Sequence, residues 1–234
     1  MRGNNLKRAA EFGDGSVLKV QKIFKTLQGE GPNVGVPAIF VRLGGCNLAC
    51  TFCDTDFEEF VEISLDEIIF KVRQLSLNDK NVKSVNLVVV TGGEPFRQEI
   101  SLLCDILLKD NYALQIETNG TIYRTIPKDV EIICSPKVVG GSYLSIREDL
   151  LPNISAFKFL ISSNIKEYSS VPELGQKKCN IPVFVQAMDE YKEEINIQNL
   201  KLAVDIAINN GYRLSYQIHK NLGIFTRNVK FLKT

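Results

Sequence analysis

Three cysteines fall within eight residues, Cys46, Cys50 and Cys53, in the segment GGCNLACTFCDT. This C-x3-C-x2-C spacing is the strongest constraint on the fold. Gly44 and Gly45 let the chain turn tightly just before it, so three sulfurs can converge on one centre. Thiolates are the usual ligands of iron–sulfur clusters. Three of them on a four-iron cluster would leave one iron free to bind a further molecule. The spacing also admits a zinc site completed by Cys104, Cys134, Cys179 or His219, or three unrelated core thiols. Cys104 sits near the apolar face of a helix, Cys134 ends an apolar strand and Cys179 lies in a polar loop, so these three read as non-ligands.

The rest of the chain must be able to carry such a loop. Its 234 residues fit one domain, with 44% hydrophobic and 24% charged residues, which excludes a mainly disordered chain. No apolar run has the length of a membrane span, and no signal-peptide stretch stands at the start. The expected compartment is therefore the cytoplasm, where thiols stay reduced. Lys and Arg number 28 against 27 Asp and Glu, so no overall basic field points to nucleic acid. Residues 1–16 are polar and Gly-bearing and are expected to be mobile.

Strands are expected at 17–26, 38–42, 85–90, 113–117, 130–134, 156–161, 182–187 and 212–217. Ser64 to Glu67 has the S-x-x-E form of a capping box and opens a helix carrying Ile68, Ile69, Val72 and Leu75. Further helices are expected at 97–109 and 197–209, the last stopped by Asn209-Asn210-Gly211. Early strands alternate with helices and favour a parallel sheet. Later strands outnumber helices, so connections between 118 and 182 must be loops. The expected fold class is α/β: an incomplete, helix-poor (β/α) barrel with mostly parallel strands, its chemistry at the C-terminal strand ends.

Those strand ends carry a resemblance. The cysteine spacing, with Phe52 before the third cysteine, is followed by Thr91-Gly92-Gly93-Glu94-Pro95 at the end of an apolar strand. Together and in this order they resemble the radical S-adenosylmethionine (radical SAM) superfamily. Within it the chain is similar to the 7-carboxy-7-deazaguanine synthase family. That likeness rests on Thr26-Leu27-Gln28-Gly29-Glu30-Gly31, Phe40-Val41-Arg42-Leu43, Cys53-Asp54-Thr55, Cys134-Ser135-Pro136-Lys137 and Gln217-Ile218-His219-Lys220. It covers roughly 17–224 as a single domain. Residues 225–234 then form a basic tail with Arg227, Lys230 and Lys233.

The resemblance implies conversion of 6-carboxy-5,6,7,8-tetrahydropterin to 7-carboxy-7-deazaguanine with loss of ammonia, a carbon–nitrogen lyase step toward queuosine. A 5′-deoxyadenosyl radical takes a hydrogen from C6, and S-adenosylmethionine is regenerated, so no side chain is the catalyst. The implied cofactors are a [4Fe-4S] cluster on Cys46, Cys50 and Cys53, S-adenosylmethionine, and Mg2+ on Thr55; by chemistry alone Asp54 is the more obvious hard ligand, and the choice between the two stays open, Asp54 otherwise orienting the loop. The implied S-adenosylmethionine contacts are Phe52, Gly92, Gly93, Glu94, Asn119, Ser135, Lys137 and Gln186. The implied substrate contacts are Gln28, Gly29, Glu30, Arg42, Thr91 and His219. Arg42 would pair the substrate carboxylate, since a planar guanidinium matches it bidentately. The implied partners are an electron donor of flavodoxin or ferredoxin type and a second copy in a homodimer, with no nucleic acid and no membrane.

Two rival readings stay open on sequence. A glycyl-radical activating enzyme shares the cysteines and a GGEP-like motif but not the Q-G-E-G and Q-I-H-K segments. A non-catalytic zinc- or cluster-binding module explains the cysteines alone. Direct tRNA binding has only the basic tail in its favour.

Overall fold

The computed structural model describes residues 5–53 and 55–222. Asp54 and the tail 225–234 lie outside the described residues. Among the described residues nine strands make one sheet. In chain order they are β1 (Val17–Leu27), β2 (Pro37–Leu43), β3 (Val61–Ser64), β4 (Leu87–Gly92), β5 (Ala113–Thr118), β6 (Glu131–Cys134), β9 (Ala156–Ile161), β10 (Val183–Ala187) and β11 (Arg213–Ser215). A small ribbon of β7 (Val138–Val139) and β8 (Ser142–Tyr143) precedes β9. The sheet order is β11-β10-β9-β6-β5-β4-β2-β1-β3. From β2 to β11 every neighbouring pair is parallel, and only the β1 pairings are antiparallel. This is the expected helix-poor, incomplete barrel.

Alternation builds its two faces. Val88, Val90, Ile116, Ile132, Phe157, Phe159 and Val185 join the main core beneath α1 (Leu65–Ser76), α2 (Ser101–Lys109) and α3 (Glu193–Asn210). The intervening residues face the concave side, and many are polar: Gln115, Glu117, Lys158, Gln186 and Ser215, all buried or nearly so. The capping box forms as expected, with Ser64 Oγ accepting from the Glu67 amide at 3.3 Å. The second helix starts later than its periodicity implies. Pro95–Arg97 makes a tight 3-10 turn first, capped by the Glu94 side chain, and α2 begins only at Ser101. Between 118 and 182 the strands are joined without an α-helix, by loops, short 3-10 turns and the β7–β8 ribbon. A short α4 (Ile218–Leu222), not foreseen, carries His219.

Among the described residues no strand pairing closes the barrel. The β1–β2 turn folds over the concave face and bridges the gap instead. The Gly31 amide donates to Ser215 Oγ on β11 at 2.9 Å, Asn33 Nδ2 to Gln115 Oε1 on β5 at 2.8 Å, and the Ile218 amide to the Gly29 carbonyl at 3.3 Å.

Residues 5–16 make hydrogen bonds to the body of the chain. Arg8 donates its amide to the Cys46 carbonyl at 2.8 Å. Asn5 gives its amide to the Thr55 carbonyl at 2.9 Å and accepts from the Phe57 amide at 3.2 Å. The Arg97 guanidinium, almost fully buried, reaches the Ala9 carbonyl at 3.0 Å and Glu11 at 2.6 Å. Side chains distant in sequence thus satisfy part of this polar segment's backbone. No helix among the described residues is long and apolar enough to cross a membrane.

Candidate active site

One cavity of about 1070 Å³ opens on the concave face. Its wall includes all the sequence-derived candidates except Glu94: the three cysteines, Phe52, Thr55, Gln28, Gly29, Glu30, Arg42, Thr91, Gly92, Gly93, Asn119, Ser135, Lys137, Gln186 and His219.

The cysteine loop follows β2. Cys46 is buried, Cys50 and Cys53 are half-buried, and all three are free thiols. Leu48 and Phe57 make an apolar bed for them. Burial pushes the Cys46 thiol up to about 12 and raises Cys50 as well, the latter partly opposed by Lys137 and Lys7. A metal centre must displace these protons to bind. Among the described residues no three His, Cys, Asp or Glu side chains close on a single-ion point. The zinc alternative therefore has no tetrahedral donor set among them. Three thiols on one apolar bed, all lining the same cavity, form a donor set that fits an iron–sulfur cluster.

The two motif glycines have a packing reason. A Cβ at Gly93 would lie 1.8 Å from the Gly45 carbonyl oxygen, and one at Gly92, where φ is +125°, 2.2 Å from the Leu43 carbonyl oxygen. The end of β4 thus presses backbone to backbone on the turn that launches the cysteines. The Glu94 amide completes this seam by donating to the Gly45 carbonyl at 3.1 Å.

Glu94 itself does not reach the cavity wall in this structure. Its fully buried carboxylate accepts from the Phe96 amide at 3.1 Å, Thr118 Oγ1 at 2.7 Å and the Asn119 amide at 2.8 Å. Burial raises its pKa to about 7, against those hydrogen bonds and the charge of Lys137. An acid whose folded pKa is raised lends its stability below the unfolded value of about 4.5 and loses it as pH climbs toward about 7. Glu94→Gln should therefore gain thermal midpoint relative to the wild type between those pH values and hold the gain above them. A pH series of melting curves with a constant difference would refute this.

Asn119 ties strand end to cysteine loop: its Nδ2 donates to Asn47 Oδ1 at 2.9 Å, and its Oδ1 accepts from the Thr121 amide at 3.0 Å. Lys137 Nζ reaches Ser135 Oγ at 2.7 Å, so these two candidates form one unit. Burial lowers the Lys137 pKa. Gln186 accepts from Ser215 Oγ at 2.8 Å. Phe52 meets Tyr168 edge-on, ring centres 5.4 Å apart. His219 stands against Gly29, where any Cβ would overlap its ring.

The far part of the cavity is charged. Arg42 packs over the Phe24 ring at 5.4 Å, and Lys22 faces Arg42 across the β1–β2 ladder. Burial and then Arg42 lower the Lys22 pKa. Deeper in, Lys158 bridges Glu30 at 2.5 Å and Glu117 at 2.7 Å. Burial alone would raise Glu30, but Lys158, Gln217 and His219 hold it well below the usual carboxylate range. Lys22, Glu117 and Lys158 were missed on sequence. The signal for the last two was present, since each interrupts an apolar strand with a charge at the alternate position.

This geometry has counterparts among known proteins. The Radical SAM superfamily matches residues 40–159, from β2 through most of β9. A 7-carboxy-7-deazaguanine synthase of Rickettsia prowazekii is 60% identical over 224 residues, 96% of each chain. The chain belongs to the 7-carboxy-7-deazaguanine synthase family. The synthase of Rhodospirillum rubrum is 36% identical, covering 96% of this chain and 100% of its own. The crystal structure of QueE from Escherichia coli superposes with a TM-score of 0.70 and 25% identity, over 86% of this chain and 94% of that one. Membership in this synthase family settles the glycyl-radical rival and the non-catalytic module against both: the chain is a radical SAM enzyme, with a four-iron cluster and S-adenosylmethionine as its cofactors. A radical SAM enzyme of this kind needs a small-molecule substrate and an electron donor.

Proposed function

We propose that the cavity is the active site for conversion of 6-carboxy-5,6,7,8-tetrahydropterin to 7-carboxy-7-deazaguanine with loss of ammonia, with the roles divided along its length. The observation that carries this is the chemistry of the lining: the Arg42 guanidinium, the ionised carboxylate of Glu30 and three free thiols all border the same cavity. A carboxypterin has the matching groups, a carboxylate at one end and an N–H-rich pyrimidine edge at the other.

Arg42 would take the substrate carboxylate in a bidentate pair, and Lys22 adds positive potential beside it. Glu30 would accept from the pyrimidine N–H groups, and Gln28 and the Gly29 backbone would complete that edge with His219. Thr91, at the end of β4, would add a hydrogen bond to the ring. Cys46, Cys50 and Cys53 would hold the cluster. Phe52, Gly92, Gly93, Asn119, Ser135, Lys137 and Gln186 would hold S-adenosylmethionine, with Glu94 supporting that wall from behind. When bound, these groups supply the one-electron chemistry of the reaction. The Thr55 hydroxyl would be the protein ligand to Mg2+, an ion that keeps few protein ligands and relies on substrate and water. Burial of the reacting ring against the concave face excludes water.

The electron donor would be of flavodoxin or ferredoxin type, and the working compartment the cytoplasm. A homodimer is supported by the open sheet edge at β3, where Val17 and Val61 are more than half exposed, and by Phe70 at 61% on the neighbouring helix.

Anaerobic turnover read by mass spectrometry tests the reading. Reconstituted protein with S-adenosylmethionine, reductant, magnesium and the pterin should give 7-carboxy-7-deazaguanine in excess over any 5′-deoxyadenosine. Accumulation of 5′-deoxyadenosine without that product would remove the substrate assignment.

A further inference from the structure

Lys158 belongs to none of the motifs, yet it is the centre of the deepest polar cluster. Its side chain is 4% exposed. It lies mid-strand on β9 between Phe157 and Phe159, which point to the opposite face into the core. Its ammonium contacts Glu30 from the β1–β2 turn and Glu117 from β5. Both carboxylates therefore touch one nitrogen, and their oxygens lie no farther apart than those two contacts laid end to end. The other neighbours are neutral amides. Gln28 and Gln115 donate to Glu117 Oε1 at 3.0 Å each, and Gln217 donates to Glu30 Oε1 at 2.5 Å. Among the described residues the other titratable groups coupled to this cluster are His219 from α4, acting on Glu30, and Lys137 from the loop after β6, whose pKa Lys158 helps to lower. Glu131 is one step away through Asn33.

The cluster is thus two carboxylates sharing one cation in a low-dielectric pocket. Without that cation, two like charges this close cannot both ionise, and one carboxyl keeps its proton near neutral pH. A protonated carboxyl donates a hydrogen bond where the substrate edge needs an acceptor.

We propose that Lys158 is a positioning residue that keeps Glu30 and Glu117 both ionised and aimed into the cavity, so that this end selects a ligand edge made of N–H donors. The inference rests on the pterin reading above and deepens it. Lys158 touches no reacting atom, and its effect runs through the two carboxylates.

The test is the ratio of KM for the pterin between Lys158→Met and wild-type holoenzyme, measured from pH 6 to pH 9. Taking the ratio cancels the titration of the free substrate. The ratio should rise about tenfold for each pH unit below the new carboxyl titration and return toward its floor above it. The kcat should change by less than about threefold, and cluster content should match the wild type. Adding Glu117→Gln to Lys158→Met removes the second charge and should move the rise of the ratio to lower pH. A merely structural lysine would not produce a pH-dependent ratio that a second, charge-removing substitution shifts. Lys158→Gln carries the same test if the methionine variant does not fold. A flat ratio in the single variant, or a pH dependence that stays at the same pH in the double variant, overturns the proposal. Wild-type enzyme that cleaves S-adenosylmethionine but makes no product strikes the substrate reading instead. Carbon-13 glutamate NMR then still decides the lysine's part: a carboxyl titrating near neutral in Lys158→Met and absent from the wild type supports it, and identical titrations overturn it.

Discussion

Gly93→Ala should empty the cofactor wall while leaving the sheet intact. The new methyl carbon would lie 1.8 Å from the Gly45 carbonyl oxygen, 2.3 Å from its carbon and 2.9 Å from the Cys46 nitrogen. All three are backbone atoms, so no rotamer change relieves the overlap. Either the end of β4 or the cysteine turn must move by an ångström or more. β4 is fixed between β2 and β5 by parallel ladders on both sides, so the turn moves. Cys46 is the next residue on that turn, and Asn119 and Arg8 brace it where it now stands. A misplacement of about 1 Å costs roughly 10²-fold in rate even where binding survives. The expected result is a protein with wild-type far-ultraviolet circular dichroism, less than about a quarter of the wild-type iron and sulfide after reconstitution, and turnover down by at least about 10²-fold. Wild-type iron content with wild-type turnover would mean that the seam between β4 and the cysteine turn is not what aims the thiols.

The same seam shows where sequence reading succeeds and where it stops. The cysteine spacing and GGEP were legible because both are local, and their co-location followed from parallel neighbours β2 and β4 ending at the same level. What the glycines touch was not legible. On sequence they leave room for a ligand; in the structure they first leave room for Gly45 and Leu43. Glu94 is the related case. An acidic residue after two glycines reads as a ligand, but Phe96 two residues on, together with Thr118 and Asn119 at the end of β5, turns its carboxylate inward. The N-terminal segment was unreadable for a similar reason. Its partners Glu58, Arg97 and Arg124 are 50 or more residues away, and a polar composition does not reveal that distant side chains will satisfy it. Lys158 and Glu117 are different again. Both stand at the polar beats of otherwise apolar strands, and period-two alternation places them on the concave face without any structure.

Glu30→Gln should separate substrate binding from cofactor chemistry. Glutamine keeps the size of the side chain and removes its charge. In the wild type that charge is held in place by Lys158 and by Gln217, and none of its hydrogen-bond partners belongs to the cysteine loop. Cluster content and S-adenosylmethionine binding should therefore match the wild type. A hydrogen bond to a charged acceptor contributes about 1.5–3 kcal/mol, so KM for the pterin should rise by roughly tenfold to 150-fold. S-adenosylmethionine cleavage without product formation should persist. Glutamine is the better probe than alanine, because alanine leaves Lys158 short of one buried partner, and breaking a buried pair costs about 3–5 kcal/mol. The pH profile of stability gives an independent check. A carboxylate held below its usual range lends stability above that range and loses it as pH falls, so acid should destabilise the wild type more than Glu30→Gln. Unchanged KM across the variant would place the pterin elsewhere in the cavity. Loss of iron would make Glu30 a structural residue of the barrel gap and not a reader of the substrate edge.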